Sequence, residues 1–240
     1  MQFYFIRHGQ SVNNLLWSLT GSDDGRSADP ELSEFGHRQA QCLAEFLRTS
    51  EKDQAGQIRD TQNREGFKLT HLYCSLMLRA VGTADYLSKA LNLPLNAWVE
   101  WHEEGGIHLY NEETGVSEGH PGSNRAYFET YYPNLGLPEG LGETGWWNRP
   151  REEPGEYMPR ARRVLAELIR RHGGTDDHVA VVSHGGFYND FLAALMGLDQ
   201  LPFTWFTMNN AGITRINFHD GRPNIAYCNR TDFLPDELIT

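Results

Sequence analysis

The chain has 240 residues, with 32 acidic against 21 basic side chains and a formal net charge of -11. That balance excludes a general binder of nucleic acid or of an anionic membrane, so an anionic ligand must be met by positive charge gathered at one place. Hydrophobic residues at 39% and aromatics at 12% suffice for a buried core, and no apolar run approaches the ~20 residues that span a bilayer.

Cys42, Cys74 and Cys228 form no C-x-x-C pair, so neither a disulfide framework nor a zinc knuckle is indicated. Met1 leads straight into apolar sequence without a basic leader segment. The expectation is a cytoplasmic protein built as one domain over residues 1–240, with an insertion at about 107–157.

Residues 2–7 read as a buried strand that ends abruptly in Arg7-His8-Gly9. A polar loop carrying Asn13 and Asn14 is expected next. A helix follows, with Ser33 as its N-cap and Ala40, Leu43, Ala44 and Leu47 on one face, fading at Thr49-Ser50. Residues 50–68 are charged and without periodicity, which predicts a surface excursion.

His71 to Cys74 reads as a second strand, Ser75 as its loop, and Met77 to Leu91 as a helix with Arg79 in its first turn. A cation there opposes the helix dipole, and a bound anion would resolve the conflict. Pro94 to Val99 reads as a third strand, followed by Glu100-Trp101-His102-Glu103-Glu104. His102-Glu103 does not continue into a zinc-protease motif, because Gly105-Gly106 breaks the helix that motif needs.

From 107 to 157 the chain is rich in Gly, Pro and aromatics, and nine acidic residues face Arg125, Arg149 and Arg151. A loop this long predicts a folded insertion covering a site, with a short helix around Ser123–Tyr132. Two other readings stand beside it: that Trp146 and Trp147 stack on an apolar leaving group, and that the aromatics merely pack on each other.

Residues 158–172 read as an amphipathic helix. The triplet Arg171-His172-Gly173 at its end is a capping pattern, with basic residues in the last turn. His178 to Ser183 is a continuous apolar run, hence a central strand, and it ends at His184-Gly185-Gly186. A helix is expected from Phe187 to Met196, then a hairpin from Ala211 to Asn229 turning at Asp220-Gly221. Residues 232–240 read as a surface tail.

Strands alternating with helices predict a mostly parallel sheet covered on both faces, a three-layer sandwich. Parallel strands place their carboxyl ends at one edge, where ligands of such sheets bind. Arg7, His8, Asn14, Arg79, His184 and a carboxylate near residue 103 should therefore meet at one rim. Arginine forks suit phosphate oxygens, neutral imidazole is a nucleophile, and a carboxyl group can protonate a leaving oxygen.

Arg7-His8-Gly9 with Asn14, the Leu32–Ala40 segment, Ser75 to Ala84 and Val182-Ser183-His184-Gly185-Gly186 together resemble the histidine phosphatase superfamily, which includes phosphoglycerate mutases. The resemblance implies the phosphoglycerate mutase-like fold and metal-independent phosphoryl transfer, with no cofactor and a small phosphorylated metabolite as partner. It implies His8 as the nucleophile, Arg7, Asn14, Arg79 and His184 on the phosphoryl oxygens, and an acid fitted best by Glu103, with Glu100 and Glu104 as alternatives. Gln10 stands where the mutases carry Glu, and the insertion is acidic where theirs is basic. The expectation is a phosphatase; mutase-type transfer and a non-catalytic phosphate-binding module are the alternatives.

Overall fold

The structure is a computed structural model that describes residues 1–48, 60–64, 66–201, 204–219 and 222–240. Its strands are β1 (Gln2–Arg7), β2 (His71–Cys74), β3 (Leu95–Ala97), β4 (His108–Asn111), β5 (Val116–Gly119), β6 (Leu135–Gly136), β7 (His178–Ser183), β8 (Ile213–His219) and β9 (Arg222–Arg230). Its helices are α1 (Val12–Thr20), α2 (Glu34–Arg48), α3 (Leu78–Leu91), α4 (Arg125–Tyr131), α5 (Pro154–His172) and α6 (Gly185–Leu195).

Seven strands form one sheet in the order β6-β3-β2-β7-β1-β8-β9. β6, β3, β2, β7 and β1 run parallel, and β8 and β9 are antiparallel additions at one edge. The apolar runs of β1 and β7 occupy the middle because both faces of a central strand are covered. Phe3, Phe5, Val179 and Val181 point to the face packed by Val164 and Leu168 of α5 and Phe187 and Phe191 of α6. Tyr4, Ile6, Ala180 and Val182 point the other way, to Leu43 and Leu47 of α2 and Val81 and Leu87 of α3. The strand period of two thus sorts one sequence run into two cores. Burying each large side chain contributes about 1.5–3 kcal/mol.

Local chemistry explains where the elements depart from expectation. The segment expected as a polar loop is α1, because Ser11 and Asn14 form a capping box that satisfies its first N–H groups. Ser33 does cap α2, its Oγ accepting from the Gly36 N–H at 3.1 Å. α5 begins at Pro154, earlier than expected, with Pro in its first turn, where the missing N–H costs nothing.

Within residues 107–157, α4 falls where a short helix was expected, but the β4–β5 hairpin had no forewarning. β6 pairs with β3, so part of this segment extends the central sheet rather than lying over it. The stretch expected as a surface excursion places Asn63 and Phe67 in the interior, where the Asn63 amide donates to the Tyr4 hydroxyl and accepts from that of Tyr227. Residues 50–59 and 65 of that stretch lie outside the described residues, as do the fade at Thr49-Ser50 and the turn at Asp220-Gly221. The expected surface tail is anchored: Leu234 and Leu238 are buried, and the Gln39 side chain donates to the Leu238 carbonyl.

Candidate active site

His8 follows β1 directly and is 2% exposed. Its Nδ1 lies 2.6 Å from the Gly9 carbonyl oxygen, which can only accept, so the proton sits on Nδ1. That leaves the Nε2 lone pair directed into the site, where the Arg79 Nε–H donates to it at 3.1 Å. Burial, then the charges of Arg79 and Arg7, hold the His8 imidazole well below its usual range. These surroundings favour the uncharged ring with its proton on Nδ1.

His184 follows β7, and its ring centroid is 5.1 Å from that of His8. Among the described residues, neither of its buried ring nitrogens has a hydrogen-bond partner, and nor does Arg7 Nε. Unpaired buried polar atoms cost free energy unless water, an ion or a ligand meets them. Burial, then Arg79 and His8, hold the His184 imidazole well below its usual range. Arg7 is steadied by its Nη1 donating to the Met208 carbonyl.

The expected conflict between Arg79 and the α3 dipole has an internal answer with no local signal in the sequence. The Asp29 carboxylate accepts from the Leu78 N–H at 3.0 Å, at the first residue of α3. Burial pushes this carboxyl up to about 6, and the Arg79 charge opposes that rise.

Glu103 lies at the N-terminus of α6. Its carboxylate accepts from the backbone N–H groups of Phe187 at 2.8 Å, Glu104 at 3.0 Å and Gly186 at 3.1 Å. The Glu103 charge acts on both Arg7 and Arg79. Glu104 turns instead toward Asp190, and burial, then Glu103 and Asp190, push it up to about 7. Glu100 points outward to Arg163. Of the three carboxylates considered from sequence, Glu103 is the one facing the arginines.

The segment bearing Glu103 is braced from beneath. Arg160 Nη1 donates to the carbonyls of Glu100 and His102, both at 2.9 Å. The same guanidinium makes a bidentate pair with Glu152 at 2.6 and 2.8 Å, with both residues buried. Ser183 Oγ donates to the Trp101 carbonyl at 2.8 Å.

Asn14 Oδ1 is occupied by Ser11 and, at 3.3 Å, by Asn210 Nδ2, which leaves the Asn14 Nδ2 as its donor. Asn210 also donates to the His8 carbonyl at 3.1 Å. The Gly9 N–H donates to Thr83 Oγ1. Gly9 serves close approach rather than a tight turn: a Cβ there would stand 2.6 Å from the Gly36 carbonyl oxygen, and one on Gly36 would stand 2.0 Å from that of Gln10. Gln10 is buried, and its Oε1 accepts from the Ser33 hydroxyl.

Trp147 packs edge-on against His102 at 4.7 Å, with the Arg149 guanidinium 4.0 Å over its ring. Its indole is buried in this packing, whereas Trp146 is half-buried. Both ring nitrogens of His102 are engaged. Its Nδ1 donates to the Glu103 carbonyl at 2.8 Å, and its Nε2 accepts from Arg149 at 3.2 Å.

A strand-end histidine flanked by arginines and a second histidine at the end of the neighbouring strand thus meet at one edge of an α/β sheet. The family model of the histidine phosphatase superfamily (branch 1) matches residues 3–231, and the chain belongs to that superfamily. No curated protein sequence matches it. Among solved structures it is similar to a phosphoserine phosphatase from Entamoeba histolytica, at 19% identity and a TM-score of 0.60, covering 98% of this chain and 99% of that one. It is also similar to a mycobacterial glucosyl-3-phosphoglycerate phosphatase, at 23% identity and a TM-score of 0.56, covering 96% and 99%. These likenesses show a shared fold.

Proposed function

We propose that this protein hydrolyses a small phosphate monoester through a phosphohistidine on His8. The observation that carries the reading is the buried imidazole whose Nδ1 is tied to the Gly9 carbonyl while Nε2 meets Arg79, beside the ring of His184.

In the first step His8 Nε2 forms a bond to phosphorus as the ester P–O bond breaks. The leaving alkoxide takes up a proton relayed through the Glu103 carboxyl group, which ends the step as the carboxylate. Arg7, Arg79, His184 and the Asn14 amide take the equatorial oxygens, and Arg79 exchanges its contact with Nε2 for one with the phosphoryl group. In the second step Glu103 removes a proton from water, the hydroxide attacks phosphorus, and the N–P bond breaks. Inorganic phosphate leaves and His8 returns to its neutral tautomer. No step requires a metal.

The test is hydrolysis of p-nitrophenyl phosphate in EDTA, set beside interconversion of 2- and 3-phosphoglycerate. Steady phosphate release, lost in His8→Ala, supports the phosphatase reading. Fast isomerisation with little release supports a mutase. Phosphoserine and glucosyl-3-phosphoglycerate, named for the structural neighbours, head the substrate panel.

A further inference from the structure

At the opposite end of the sheet from His8, three side chains with metal-ligand chemistry converge. His71 opens β2, His172 closes α5, and Asp177 immediately precedes β7. Candidate ligand atoms of the three lie within 4.8 Å of one another. His172 Nδ1 is 2.8 Å from Asp177 Oδ2, and His71 Nδ1 is 3.9 Å from Asp177 Oδ1. A tetrahedral ion with bonds of about 2.0–2.1 Å separates its ligand atoms by about 3.3 Å. The two gaps run to different oxygens of Asp177, and no pair of candidate ligand atoms is more than 4.8 Å apart, so side-chain rotation has to draw the three onto one ion.

A second feature is the support around these ligands. The Tyr73 hydroxyl lies 3.2 Å from His172 Nε2. A hydroxyl both donates and accepts, so His172 keeps that partner when its proton moves to Nε2 and the Nδ1 lone pair turns to a cation. The Thr70 hydroxyl touches His71 Nδ1 at 2.9 Å and also donates to the His178 carbonyl at 3.1 Å. It retains the carbonyl when His71 turns to a metal. The nearby Arg171 shares the Glu167 carboxylate with Arg170, at 2.7 and 2.6 Å respectively. The His172 side chain is 5% exposed, while His71 at 40% and Asp177 at 27% leave solvent access for a water ligand.

We propose that His71, His172 and Asp177 form a binding site for a borderline transition-metal dication of the zinc class. Two imidazoles and one carboxylate suit that ion better than calcium or magnesium, which prefer oxygen. Bound there, it staples the C-terminus of α5 to the leading ends of β2 and β7, remote from the phosphoryl site. The bare alternative is that Asp177 serves only to hold His172 at the helix end.

The experiment uses the full chain stripped with EDTA and titrated with Zn²⁺ by calorimetry, and separately with Co²⁺ by visible absorption. The expected result is one saturable Zn²⁺ per chain, tetrahedral Co²⁺ bands, and a melting temperature raised by about 5–10 °C at a hundredfold excess over Kd. His71→Asn and Asp177→Asn lose all three while their metal-free melting curves stay cooperative. Absence of saturable binding in the parent chain overturns the proposal, as does unchanged stoichiometry in both variants.

Discussion

The Arg79 Nε–H donates to His8 Nε2 at 3.1 Å, so the cation that would bind the phosphoryl group also depresses the basicity of the imidazole that would attack it. Arg79→Gln should therefore do two separable things. It should lower kcat/KM by about 10²–10³, the scale for losing one preorganised donor to transition-state charge. It should also move the acid limb of the pH–kcat/KM profile upward, because removing the guanidinium charge lets His8 protonate at a higher pH. Rate measurements between pH 4 and 8 check both.

Arg160 separates stability from positioning. Breaking a buried ion pair by removing one partner costs about 3–5 kcal/mol, so Glu152→Leu and Arg160→Met should each lower the melting temperature by roughly 6–20 °C at ~2–4 °C per kcal/mol. The double variant leaves no orphaned charge and should recover much of that loss. It should not recover kcat, because the carbonyls of Glu100 and His102 stay unheld and Glu103 loses its placement. Melting curves and kcat on the three variants decide this.

Glu104 gives a pH-dependent stability of known sign. Its folded pKa, about 7, lies above the ordinary 4.5. The unfolded chain releases this proton first as pH rises, so the contribution to stability is complete below about 4.5 and is lost progressively up to about 7. Glu104→Gln should leave the melting temperature at pH 4 almost unchanged and raise it at pH 8. A larger effect at pH 4 than at pH 8 would reverse the assignment.

Gly36 should not tolerate a side chain. A Cβ would sit 2.0 Å from a backbone oxygen that has little freedom to move. Gly36→Ala should cost about 1–3 kcal/mol or more, measured by denaturant unfolding.

The rim was legible in the sequence because strand type and direction alone place it. β1 and β7 are continuous apolar runs, so Arg7, His8 and His184 had to emerge at one edge. Ser33 and Arg171-His172-Gly173 were legible because caps are local. What escaped is held by contacts between distant segments. Asp29 reaches across to the start of α3, Arg160 reaches the Glu103 segment, and Asn210 reaches the His8 carbonyl. None has a periodic pattern or a nearby partner to announce it. The burial of Phe67 and Leu238 escaped for the same reason: a single apolar residue in polar sequence gives no period to read. α1 was nearer to hand, since Ser11 and Asn14 have capping-box spacing, but the polar residues around it masked the helix.

The central claim is the phosphohistidine on His8. Rapid-quench labelling with a ³²P-monoester under alkaline conditions, followed by peptide mass spectrometry, tests it most directly. The account predicts an acid-labile phosphoryl group on Nε2 of His8 that forms and decays as fast as turnover and is absent in His8→Ala. Full turnover with no label on His8, or a kinetically competent label on another residue, would contradict it.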